Sequence, residues 1–187
     1  MTNKEADYLT HCKECSKCPS SSCCYYEDHT GFIAVSIKDA ERIKKETGQP
    51  YSEFLDFSLL PEEIIEECRT DPSGSEGEMR YKMLKNNRLL RLKRKKNHCV
   101  FLDEQYRCTI YYFKPLICSM YPFWYEIKQG EVKIVPHDRD MDCAFIKNRI
   151  HVPSATTDKL KQIALQIEDE REDYLKRINA FVRKNKL

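Results

Sequence analysis

Long apolar runs are missing from this chain. Nowhere in its 187 residues is there a stretch near the ~20 apolar residues that span a bilayer. Residues 1–10 are polar and carry no apolar signal core. A membrane span and a secretory address are therefore not expected, and a reducing compartment, the cytoplasm, is. An excess of one charge is missing too. A third of the residues are charged, yet the net charge is only +2, so no global field draws the chain to nucleic acid or to a lipid surface. Phosphate-cradling loops, dinucleotide fingerprints, nucleophile elbows and solenoid repeats are also absent.

Cysteine is what the chain has in excess: ten, at positions 12, 15, 18, 23, 24, 68, 99, 108, 118 and 143. Disulfides are disfavoured in a reducing compartment, and thiols recurring at two-residue gaps point instead to metal ligation. A lone cysteine such as Cys68 reads as a small buried hydrophobe. The gaps Cys12-x2-Cys15 and Cys15-x2-Cys18 let a tight turn aim two thiolates at one ion while backbone N–H groups face the sulfurs. Neighbouring side chains of an extended segment point to opposite sides. Cys23 and Cys24 are therefore expected to serve two metals, or one to ligate and the other to pack.

A second cysteine set lies far along the chain. Cys99, Cys108 and Cys118 share one aromatic-rich stretch, and Cys143 follows. Folded onto the first set, these bring eight thiolates together, enough for two four-ligand sites. The expected metal ligands are Cys15, Cys18, Cys23, Cys24, Cys99, Cys108, Cys118 and Cys143, with Cys12 the ninth candidate. His98 abuts Cys99 and His11 abuts Cys12. Either can ligate, although a surface or structural role is the weightier expectation for these two and for His29, His137 and His151. Tyr25, Tyr26, Tyr106, Tyr111, Tyr112 and Tyr121 crowd the cysteines, placed to shield a cluster or to serve as ordinary core and rim aromatics.

Local signals outline the fold. Residues 32–35 read as a short buried strand. Ser36 and Asp39 cap a helix whose apolar face is Ile37, Ala40 and Ile43 and whose end is Gly48. Residues 50–69 read as helix in pieces, broken at Pro61, and residues 71–77 as a loop. Residues 79–102 fit helix or strand, with strand the better reading for residues 99–102. Residues 121–135 hold a hairpin signal around Gln129 and Gly130. Helical spacing then returns through Leu160, Ile163, Ala164, Ile167, Tyr174, Leu175, Ile178, Phe181 and Val182. This predicts one amphipathic helix over roughly residues 157–184, packed on its own domain or on a protein partner. The basic run Arg88, Arg91, Lys93, Arg94, Lys95 and Lys96 reads as a solvated strand edge, and no nucleic-acid partner is expected.

Taken together, Cys15-x2-Cys18-x4-Cys23-Cys24, then Val35, Ser36, Asp39, Arg42 and Ile43, then Cys99, Leu102, Asp103, Cys108 and Tyr111, and last Lys114, Pro115, Cys118, Tyr121, Pro122 and Phe123 resemble the CxxCxxCC (YkgJ-like) cysteine-cluster family. The resemblance covers about residues 12–145 and implies zinc or iron chelation. The family usually places two residues, not four, before its paired cysteines, and arginine where Lys114 and Ser119 stand. Its relatives similar to flagellin lysine N-methylases imply an iron–sulfur cluster in preference to Zn2+, and a cluster-dependent protein-modifying enzyme as the alternative to a metal-binding module. The expected architecture is α+β: a cysteine- and metal-organised domain of short strands and hairpins over residues 1–155, and a long amphipathic helix over 156–187.

Overall fold

The computed structural model describes residues 32–70, 81–105, 107–121, 123–136 and 154–187. Its architecture is α+β: short helices and short antiparallel strands, closed by one long C-terminal helix.

Helix α1 (Ile37–Thr47) starts where the sequence asks it to. Ser36 Oγ accepts the Asp39 backbone N–H at 2.8 Å, and the Asp39 carboxylate accepts the Ser36 N–H at 3.3 Å, a reciprocal capping box. Ile37, Ala40 and Ile43 are fully buried. Gly48 ends the helix at φ 71°, a left-handed conformation that glycine adopts without a Cβ clash. Helix α2 (Tyr51–Phe54), strand β1 (Leu55–Asp56) and helix α3 (Glu62–Thr70) follow. The sequence showed the break at Pro61 but not the strand before it.

Strand β2 (Arg91–Leu92) pairs antiparallel with β1, Leu55 opposite Leu92 and Asp56 opposite Arg91. Side-chain chemistry fixes the same register. Arg91 donates from Nε and Nη2 to Asp56 Oδ2 at 2.9 and 2.7 Å, and from Nη2 to Ser58 Oγ at 2.7 Å. Residues 32–35 do not become a strand. They run extended and buried beside β2, joined by a single bridge at Ala34 and by the bonds Val35 N to Leu90 O and Leu92 N to Ile33 O, both 3.0 Å. Strands β3 (Arg94–Lys95) and β4 (His98–Cys99) form a second pair. The strand expected over 99–102 stops at Cys99, because the chain turns at Val100 and Phe101 before Leu102 bridges Cys108. Half of the basic run, Arg91, Arg94 and Lys95, thus lies on short strands, and Arg91 is ion-paired to Asp56.

A five-residue helix, α4 (Leu116–Met120), leads to the hairpin β5 (Phe123–Lys128) and β6 (Glu131–Pro136). Gln129 and Gly130 turn it with φ 52° and 82°, as a two-residue primed turn requires. Helix α5 (Ser154–Asn185) packs across α1, α4 and β6. Its buried stripe is Leu160, Ala164, Ile167, Tyr174, Ile178 and Phe181, so the helix lies on its own chain. Among the described residues, no helix is long and apolar enough to cross a membrane.

Tyr174 shows how α5 completes the core. Its ring is fully buried, and its hydroxyl accepts the buried Leu90 N–H at 3.1 Å. Burial pushes the phenol pKa well above its ordinary value. Tyr174→Phe keeps the ring and strands that N–H, so urea unfolding should show a loss of about 1–3 kcal/mol. A loss below about 0.5 kcal/mol would mean that the bond contributes little net stability.

Candidate metal centre

Three of the predicted ligands fall among the described residues, and each arrives on a different piece of backbone. Cys99 ends β4, Cys108 is bridged to Leu102, and Cys118 is the third residue of α4. Cys99 is buried, and Cys108 and Cys118 are partly so. A thiolate at Cys118 is opposed electrostatically by Cys99 and Cys108, and one at Cys99 by Cys108. The three sulfurs are therefore near enough to sense one another's charge.

Burial dominates their chemistry. It pushes the Cys99 thiol up to about 11, against a pull from the Phe101 backbone N–H on the sulfur. Cys118 keeps some exposed surface, yet its sulfur sits deep enough that burial raises it well above the ordinary thiol value. Lys114 is the cation that opposes this rise. Its ammonium lies 4.5 Å from the centroid of the Tyr111 ring.

The loop between Cys99 and Cys108 is tied by one carboxylate. Asp103 Oδ1 accepts the Gln105 N–H at 2.9 Å and the Arg107 N–H at 2.8 Å, and Oδ2 accepts Arg107 Nε at 3.0 Å. These donors hold the Asp103 carboxyl below the usual carboxylate range. Thr109 closes the loop by donating its N–H and hydroxyl to Phe101 O at 2.9 and 3.0 Å.

The start of α4 is held from α1. Asp39 is buried, and its Oδ1 accepts the Leu116 N–H at 3.1 Å. Arg42 pairs with Asp39 and also donates to Lys114 O at 3.4 Å. Burial, the largest influence, raises Asp39 to about 6; Arg42 pulls it down and Glu170 adds to the rise. Glu170, on α5, is 2% exposed and accepts the Ser36 hydroxyl and the Gln166 amide.

As a donor type, thiols that sense one another's charge, with an N–H on one sulfur, suit a soft cation such as zinc or iron. They do not close a site by themselves. Among the described residues, no group of three His, Cys, Asp or Glu is arranged to hold an ion. The chain was also compared with known proteins. The CxxCxxCC family, described as a Putative zinc- or iron-chelating domain, matches over residues 11–149. The chain belongs to this family. No curated protein and no solved structure matches it.

Within this CxxCxxCC chain, Cys12, Cys15, Cys18, Cys23, Cys24 and Cys143 lie outside the described residues, as do His11, His29, His137, His151, Tyr25, Tyr26, Tyr106 and the loop 71–77. His98 precedes Cys99 on β4, where successive side chains take opposite faces. Cys68 packs in the apolar core on α3. Of the tyrosines expected to shield a cluster, Tyr112 does not: it is 85% exposed. Sequence reasoning missed the second use of Asp39 and the part played by Glu170. A signal for Glu170 was present, since position 170 falls within the buried stripe between Ile167 and Tyr174.

Asp103→Ala removes the acceptor for two loop N–H groups. Hydrogen exchange at Gln105 and Arg107 is then expected to speed up roughly tenfold or more, with the β5–β6 hairpin unchanged. Unaltered exchange at both amides would show that the loop does not depend on this carboxylate.

Proposed function

We propose that this protein is a metal-binding module in which cysteine thiolates from distant parts of the chain close on bound metal. The ligands in this reading are Cys15, Cys18, Cys23, Cys24, Cys99, Cys108, Cys118 and Cys143, with Cys12 a further candidate. The first 155 residues form the metal-organised part, and the helix over 156–187 is its packed support. An iron–sulfur cluster is the favoured occupant and Zn2+ the alternative, since an all-thiolate set suits both. Bound metal would link segments more than 100 residues apart, so its binding energy would be part of the folding energy.

The observation that carries this reading is the match of the chain to a zinc- or iron-chelating family over residues 11–149. The described thiols agree with it: burial raises Cys99 and Cys118, and Cys108 opposes the ionisation of both. A cation among them would reverse that opposition and hold the thiolates deprotonated. Saturation of every metal by thiolates would fit a structural or electron-carrying role, whereas a metal with an open position is what catalysis needs.

Metal analysis and visible spectra of protein purified without oxygen test the reading. Bound iron with broad visible absorption identifies a cluster, and bound zinc without colour identifies the alternative. Cys24→Ser, Cys108→Ser and Cys118→Ser should each lose most of the metal, and Cys68→Ser should keep it. A fully folded protein containing neither metal would end the proposal, and full metal in the first three variants would overturn the ligand assignment.

A further inference from the structure

A five-residue helix is far too short to hold itself in water, so the placement of Cys118 needs an external anchor. Pro115 offers no N–H, and the first N–H of α4, on Leu116, has no partner within the helix. The buried Asp39 carboxylate caps it, from 77 residues earlier in the sequence, at 3.1 Å. Arg42 holds the other side of Pro115 through Lys114 O at 3.4 Å while paired to Asp39. The peptide groups flanking Pro115 are thus both gripped from α1, two residues before Cys118.

The grip continues to α5. Ser36 Oγ accepts from the Asp39 N–H and donates its own proton to Glu170, so one hydroxyl joins the cap of α1 to the C-terminal helix. Leu116, Ile117, Ser36, Asp39, Ile167 and Glu170 also border a cavity of about 20 Å³ at this junction, room for a single water. The outer rim repeats the connection through Lys38 to Asp169 at 2.8 Å and Arg177 to Glu41 at 2.7 Å.

We propose that Asp39, gripped by Arg42, is a positioning residue for the metal centre, setting where α4 presents Cys118, and that Ser36 and Glu170 make that position depend on the docked C-terminal helix. This inference rests on the reading of Cys118 as a metal ligand. Asp39 touches no metal in it and acts only through the Leu116 N–H. Groups that orient a ligand from behind typically change metal affinity by about 10–100-fold when removed.

The test uses the full chain with the metal it carries on purification. Release of that metal to a chromophoric chelator is timed well below the unfolding temperature of every variant, and the thiolate charge-transfer bands are compared, those of the cluster itself where the protein carries iron and those of the Co2+-substituted protein where it carries zinc. Asp39→Ala should release metal about tenfold faster or more and shift these bands. Asp39→Asn keeps an oxygen for the Leu116 N–H and should restore most of both properties, and it is the variant to read if Asp39→Ala does not fold. Glu170→Gln should accelerate release by a smaller factor. Lys38→Ala, which breaks only an exposed ion pair between α1 and α5, should release at the wild-type rate and sets the control for loss of a surface contact between these helices.

Wild-type release and unshifted bands in Asp39→Ala would overturn the inference, as would equal acceleration in Lys38→Ala. Where Asp39→Ala does not fold, Asp39→Asn purifying with as little metal as Cys118→Ser would overturn it too. The underlying reading fails separately: the wild-type protein would then hold no metal, or Cys118→Ser would keep all of it.

Discussion

Asp39 is a carboxylate with almost no access to water, and a buried charge must be answered by donors or a counter-charge. Its answers come from separate places. Arg42 supplies charge, the Ser36 N–H closes the cap, and the Leu116 N–H arrives from the start of α4. Glu170 enters through the Ser36 hydroxyl, 134 residues away. Satisfying one group therefore brings the N-terminus of α1, the start of α4 and the middle of α5 to a single point. The rise of Asp39 to about 6 says that desolvation outweighs the attraction of Arg42. The junction is costly to form, which fits a part that specifies position more than one that adds stability.

The remaining scaffold explains why such a point is needed. The named strands pair two by two into three separate sheets, and two of these pairs have two residues per strand. Isolated pairs of that size are marginal in water. Continuity comes from the apolar cluster that α5 completes, where Tyr174 takes the Leu90 N–H that a neighbouring strand would otherwise accept. Among the described residues, the three candidate ligands are held by contacts beyond their own short elements: the Asp103 loop ties Cys108, β3 holds Cys99, and the Asp39 junction holds Cys118.

Much of this fold was legible where the determining interactions are local. The cap of α1, its stop at Gly48, the turn at Gln129 and Gly130 and the stripe of α5 are each written within a few neighbouring residues. Legibility failed where partners are distant. Residues 32–35 have strand composition, yet they form one bridge because Leu90 and Leu92 offer them only two backbone bonds. Asp39 reads as an ordinary capping residue, since nothing near it announces Leu116. The cysteine spacing marks candidate ligands and says nothing of what holds their backbone. Tyr112 lies between Cys108 and Cys118 in sequence and still points to solvent, because closeness along a chain does not set the side on which a ring packs.

The state of the thiols bears on what they are for. A cysteine used as a nucleophile or a redox sensor is made reactive by a depressed pKa, near cations or a helix N-terminus, with access for its target. Cys99 and Cys118 are raised instead. Burial raises both, neighbouring sulfurs raise them further, and Asp39 adds negative charge beside Cys118; the Phe101 N–H opposes the rise at Cys99 and Lys114 the rise at Cys118. As thiols they are poor nucleophiles at neutral pH. The one change that converts such a group into stable thiolates is a cation placed among them, which makes proton release the companion of binding. The same low-dielectric surroundings that suppress reactivity strengthen the attraction to that cation.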